Sequence, residues 1–234
     1  MPSRRRLPSL VLIASLLLSA VCAESGAQTW STSRDDPVLV IEVWTELDPL
    51  VADGGLRPVP REVAVERLLD EAVFILSGMI YGFRFVYVPR DPTRRVDEQF
   101  DLTPYATIVR GDPRLDVLQT WVSDDRLYAR ISYTVDEQQR AWYRGWRSAA
   151  NASATGVGTA GFFEGPAVKH ETARDAIRGA IHSHVRSLEL NRPRRIEGAV
   201  LIAEGPISGI RSGHYETRLS VLLQVDEITR YGHY

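Results

Sequence analysis

From Ala173 onward, apolar residues recur at spacings of three and four. Ala173, Ile177, Ala180, Ile181, His184 and Leu188 share one helical face, and Arg174, Arg178 and Ser183 turn away from it. Thr172 suits the N-cap, and Asp175 three residues on can meet the first turn. Asn191 and then Pro193 suit the helix end, since proline cannot extend a helix. The period then changes to two. Arg195 to Ala203 and Tyr215 to Asp226 read as strands. In the second, Tyr215, Thr217, Leu219, Val221, Leu223 and Val225 point one way and mostly polar residues the other. Pro206, Gly209 and Gly213 mark the stretch between them as a turn-rich connection. The unit is one helix followed by two long antiparallel strands.

Val63 to Val135 follows a looser version of that plan. Pro60 is placed to open a helix carrying Val65, Leu68, Leu69, Ala72, Ile75, Leu76, Met79 and Ile80 on one broad face, and Gly82 is placed to end it. Phe83, Phe85 and Tyr87 alternate with Arg84, Val86 and Val88 in a strand closed by Pro89. Leu115 to Val122 and Arg126 to Val135 predict a hairpin turning at Ser123-Asp124-Asp125. Val38 to Thr45 is continuously apolar and β-branched, which predicts a strand buried on both faces and central in its sheet. Tyr105 to Val109 reads as a short edge strand, and Asp136 to Arg147 as a short amphipathic helix or a strand end. Small residues dominate 148–165, which reads as a flexible linker. The expected class is α+β, with antiparallel sheets, helices packed on one face and two candidate α-β-β units. The expected division is an N-terminal unit (28–147), the linker (148–165) and a C-terminal helix-plus-hairpin unit (166–234). Periodicity leaves open whether the units share a core and whether they are a true repeat.

Residues 1–23 change the picture. Arg4, Arg5 and Arg6 precede an apolar run from Leu10 to Val21, and Val21-Cys22-Ala23 resembles a signal-peptide cleavage site with the cut after Ala23. The run is short for a membrane span, so the expectation is an exported chain without a transmembrane span in its mature form. Cys22 is the only cysteine and the residue that would carry a lipid if the chain were a lipoprotein; membrane association would then follow from that lipid. Loss of residues 1–23 removes three arginines and no acid, moving the formal charge from −2 to about −5. That balance argues against nucleic acid as the main partner, because phosphate neutralisation needs a basic face. It also leaves no disulfide and no thiolate chemistry. Lys169 is the only lysine among 28 basic residues.

Candidate chemistry is sparse. Gly156-Val157-Gly158-Thr159-Ala160-Gly161 spells a dinucleotide-binding G-x-G-x-x-G, but no strand precedes it in the pattern, so it reads as linker. His182 and His184 are two apart and fall on different helix faces, whereas metal ligands on one helix want a spacing of three or four. His170 and His214 with an acid are the residues whose convergence would indicate hydrolysis. Asp124 and Asp125 suit turn chemistry. No catalytic residue, metal or cofactor is assigned. The densest unusual cluster is Arg140 to Arg147. There Trp142, Tyr143, Arg144, Trp146 and Arg147 form the candidate binding surface, able to stack on sugars, sit at a lipid headgroup boundary or anchor a protein. Trp142 and Trp146, four apart, could equally pack on the core.

The helix-then-paired-strand pattern of Val63 to Val88 and Thr172 to Val225, behind a signal peptide, resembles small bacterial envelope modules such as accessory domains of flagellar and outer-membrane lipoproteins. The resemblance carries no functional residue. It implies a non-enzymatic periplasmic or envelope protein that binds a protein partner, as a component or assembly factor of a larger structure. The alternative is a small periplasmic hydrolase or a ligand- or glycan-binding protein.

Overall fold

The structure is a computed structural model that describes residues 38–51, 57–147, 151–189 and 191–232. The expected signal sequence, Cys22 and Ala23 lie outside these residues. The fold is α+β, with three α-helices and nine strands among the described residues. β1 (Val38–Glu46), β5 (Arg126–Thr134) and β4 (Leu115–Ser123) form one antiparallel sheet in the order β1-β5-β4. A second antiparallel sheet runs β3 (Gln99–Pro104), β2 (Phe83–Val88), β7 (Arg195–Ile202), β9 (His214–Thr229) and β6 (Ala152–Gly161), with β8 (Ile207–Arg211) also paired to β9.

Helix α1 (Arg61–Ile80) starts after Pro60 and gives way at Gly82, whose φ of +74° is the left-handed conformation glycine tolerates. Ala64, Leu68, Ala72, Ile75, Leu76, Met79 and Ile80 are buried, in contact with β1 and β5 of the first sheet and β7 of the second. One core cluster joins α1 and both sheets to helix α3 (Glu171–Leu188). Topologically, α1 leads into the pair β2–β3 and α3 into β7–β9, and the pairs meet where β2 runs antiparallel to β7.

Several local expectations change. β1 is mostly buried but lies at the edge of its sheet; Gly205 of the β7–β8 connection comes beside Val40 and Ile41, and Trp44 Nε1 donates to Ser208 Oγ at 3.0 Å. The outer strand after β2 is Gln99–Pro104, not Tyr105 to Val109. Ile108 instead plugs the core at 3% exposure, its amide donating to Ser77 Oγ at 2.9 Å. The connection after β7 contains β8. The cap position of α3 is His170, and Thr172 is buried, bonded to Lys169 O and at 2.6 Å to Thr217 Oγ1. At the other end Val185 takes the buried position and Leu188 is 54% exposed. The hairpin at Asp124-Asp125 has positive φ at both residues, 49° and 57°, as a tight two-residue turn requires.

The largest correction is at 152–161. The expected linker is the ten-residue strand β6, paired along its whole length with β9. Gly156 and Gly158 face α3. A Cβ on Gly156 would stand 1.9 Å from Ala176 O, and one on Gly158 2.0 Å from Thr172 O. The glycines thus serve close backbone approach between strand and helix, and α3 brings the small residues Thr172, Ala176 and Ala180 to that contact. Small, glycine-rich composition imitates a linker because it removes the apolar alternation by which strands are recognised.

Buried polar groups tie the sheets together. Lys169 is 4% exposed, with Nζ 2.6 and 2.8 Å from the two oxygens of Glu71 on α1 and 4.7 Å from the centroid of Trp44 on β1. Tyr215 of β9 donates to Glu46 of β1 at 2.5 Å.

Replacing Gly156 or Gly158 by alanine should force α3 off β6 and destabilise the protein by roughly 1–3 kcal/mol or more. Gly145→Ala has nothing within 4 Å of the new Cβ and should stabilise its helix by roughly 0.5–1 kcal/mol. Urea midpoints of the three variants check both outcomes.

Candidate binding groove

Asp136 to Arg147 forms helix α2 (Glu137–Trp146). Asp136 Oδ1 accepts from Gln139 N at 2.8 Å, and Gln139 Oε1 accepts from Asp136 N at 2.9 Å, a complete capping box. Gln139 is buried, and its Nε2 donates to Tyr81 Oη at 2.6 Å and Tyr133 Oη at 3.1 Å. Tyr133 donates in turn to Asp112 Oδ2 at 3.1 Å. Arg114 grips Asp112 through Nη2 at 2.9 Å and Nε at 3.1 Å, and reaches Asp136 Oδ2 through Nη1 at 2.5 Å. Side-chain and amide bonds from Arg114, with the Tyr133 hydroxyl, hold the Asp112 carboxyl down at about 2. The same contacts push the Arg114 guanidinium up, and Asp136 is held low by its cap bonds and Arg114. The network locks the start of α2 to α1, β5 and the loop before β4.

The rest of α2 crosses the outer face of the second sheet. Trp146 is 8% exposed and packs with Ala199, Leu201, Tyr143 and Leu222, so it is an anchor for the helix. Arg147 stacks over the Tyr143 ring at 4.5 Å and donates to Ala203 O. Burial pushes the Tyr143 phenol up. Arg144 is exposed. Trp142 is 48% exposed, its Nε1 donating to Tyr81 O at 3.1 Å, and Tyr105, equally exposed, meets it edge-on with ring centroids 6.2 Å apart. Beside them lies an open groove of about 610 Å³. Trp142, Trp146 and Tyr105 form its aromatic wall, and Gln138, Asn151, Gln224 and Asp226 its polar edge.

Of the five residues singled out in the sequence, Trp142 and Trp146 line the groove, Tyr143 and Arg147 support the helix behind it, and Arg144 is not among the groove's lining residues. Tyr105 and the β9 residues Gln224 and Asp226 carried no signal, because only chain folding brings them to α2. The described lining offers rings, amides and one carboxylate, so the arrangement suits binding through stacking and hydrogen bonds.

The histidines fall elsewhere. His182 Nδ1 lies 2.8 Å from Tyr87 Oη, which donates to Glu98 at 2.8 Å, and Glu98 pairs with Arg178 at 2.8 Å. Burial, then the Glu98 bond, holds the Tyr87 phenol well above its ordinary range. His184 is half-buried on the same helix. His170 pairs with its neighbour Glu171 at 3.0 Å, and His214 with Ser212 O at 3.0 Å. Among the described residues no three metal-ligating side chains gather.

An antiparallel α+β protein carrying a groove over its outer sheet face is the class that fold and site define. A protein-family model matches residues 25–231, and the chain belongs to that family. It is 26% identical over 175 residues to an uncharacterized protein of Treponema pallidum (strain Nichols), covering 75% of this chain and 74% of that one. No solved structure matches. Among the described residues no helix is long and apolar enough to cross a membrane.

Asp112 titrates near 2, below its ordinary value of 3.8. The folded state therefore takes up its proton later than the unfolded chain. The stability it contributes is present above about pH 4 and lost as pH falls toward 2. Unfolding midpoints measured from pH 7 to pH 2 should fall along that limb, and Asp112→Asn should be less stable at pH 7 with a shallower acid loss.

Proposed function

We propose that this is an exported bacterial envelope or periplasmic protein that acts by binding a protein partner, as a component or assembly factor of a larger envelope structure. The groove on α2 is its contact surface. The observation that carries the reading is the pair of half-exposed aromatics, Trp142 and Tyr105, set beside a preformed groove on a helix held by a satisfied polar network. Half-exposed tryptophan and tyrosine on a rigid support are the residues that dominate binding at protein interfaces. The signal-like residues 1–23 support export. A second reading, a glycan in the same groove, draws on the amides and carboxylate of Gln138, Asn151, Gln224 and Asp226 beside the rings.

Affinity purification of the tagged full chain from envelope fractions should recover a stoichiometric protein partner, and Trp142→Ala should lose it while keeping an unfolding free energy within about 1 kcal/mol of wild type. A protein that stays monomeric with no partner overturns the protein-binding reading. Sedimentation with purified cell-wall sacculi that Trp142→Ala abolishes would favour the glycan instead.

A further inference from the structure

A second pocket lies on the second sheet, where β2 ends and β7 begins. In the sheet register Tyr87 faces Ile196 and Arg195 faces Thr229, so the ends of β2 and β9 and the start of β7 meet there. The pocket measures about 290 Å³ and is lined by Val88, Val96, Gln99, Arg194, Arg195 and Tyr231. Two guanidinium groups, one of them shared with Glu197, an amide and a phenol supply hydrogen-bond donors, and none of the described lining residues carries a carboxylate. Around it the chain places further cations. Arg94 lies 4.3 Å over the Tyr231 ring, and Arg192 Nη1 donates to Arg90 O at 3.0 Å, which brings the 90–95 and 192–195 segments together.

Of the acids in this region Asp91 and Glu197 are already engaged, and Asp97 is exposed beside the lining residue Val96. Asp91 is 3% exposed and accepts from Arg94 Nη1 at 2.7 Å and from the amides of Thr93 and Arg94 at 3.0 and 3.2 Å. Glu197 takes Arg195 at 2.9 Å and Arg84 at 3.2 Å. Among the described residues Arg90, Arg95, Arg192 and Arg194 form no ion pair with a carboxylate. A chain of net negative charge thus gathers an excess of guanidinium groups around one small donor-lined pocket.

We propose that this pocket binds a phosphate group. A guanidinium fork matches phosphate oxygens two at a time. A phosphate has three acceptor oxygens and close to two charges at neutral pH, enough for several donors and cations at once, whereas a lone carboxylate offers two oxygens and one charge. Val88 and Val96 give an apolar wall for whatever carries the phosphate. The carrier is a soluble phosphate monoester or a lipid whose headgroup ends in a phosphate. The site is separate from the α2 groove and does not depend on the reading of that groove.

The test uses the full chain. Isothermal titration with inorganic phosphate, against acetate at matched ionic strength, should give binding for phosphate alone. Flotation with phosphatidic-acid-containing vesicles, against phosphatidylglycerol vesicles matched in surface charge, reads the headgroup source. Arg194 is exposed, so Arg194→Gln should fold as wild type by circular dichroism and weaken binding about tenfold or more. Arg174→Gln, the same charge change on α3, should bind as wild type. Phosphate binding without vesicle recruitment assigns a soluble ligand; recruitment lost in Arg194→Gln assigns the headgroup. The proposal is overturned if neither probe binds, if Arg194→Gln binds as wild type, or if Arg174→Gln weakens binding equally.

Discussion

Among the described residues no strand is shared by the two sheets, so their union rests on side chains, among them the buried ion pair of Lys169 and Glu71 beside Trp44. It joins the turn before α3 to α1 and to β1. Trp44 carries the link onward to β8 through Ser208, and Glu46 carries it to β9 through Tyr215. Burying two charges gains little unless their geometry is complete, but removing one partner leaves a stranded charge worth about 3–5 kcal/mol. The complete geometry leaves neither charge stranded and links α1, β1 and the turn before α3. The chain's single lysine is spent inside, and every other basic side chain is arginine.

The second constraint is the contact of α3 with β6. A helix normally stands off a sheet by the length of its side chains. Here Gly156 and Gly158 remove those of the strand, and α3 settles onto backbone. The other face of the sheet is left for α2, which is held at its N-terminus by the Asp112–Arg114–Asp136 network and along its length by Trp146. Helices therefore lie on both faces of this sheet, and the groove exists because α2 covers only part of the outer one.

The two surfaces differ in chemistry. The α2 groove is aromatic with a few polar groups and fits a partner that stacks. The pocket near Arg194 is cationic and fits an oxyanion. A protein that engaged both a partner and a phosphate-bearing molecule or surface would need them apart, and they lie at different places on the same sheet: one over β7 and β9 residues 199, 224 and 226, the other where β7 begins.

The elements legible in the sequence were those whose own side chains carry a period. The helix from Arg61, the strand from Phe83, the hairpin at Asp124-Asp125 and the long strand through Leu219 and Leu223 were all readable, because burial on one face imposes apolar alternation locally. The aromatic cluster of α2 was visible as composition, but the sequence left its residues as either a helix or a strand end, and the fold made them a helix. Other features could not be read. β6 is a strand because of what lies on it, and its glycines meet a helix that follows in the chain; composition alone made it a linker. β1 is buried at a sheet edge because the connection after β7 covers it. Tyr105, Gln224 and Asp226 join α2, and Arg94 and Arg195 approach Tyr231, only after the chain has folded. The sequence by itself determined the elements and their apolar faces, since those depend on neighbours a few residues away. The tertiary structure decided which faces meet and where charge gathers, since those depend on residues a hundred positions apart.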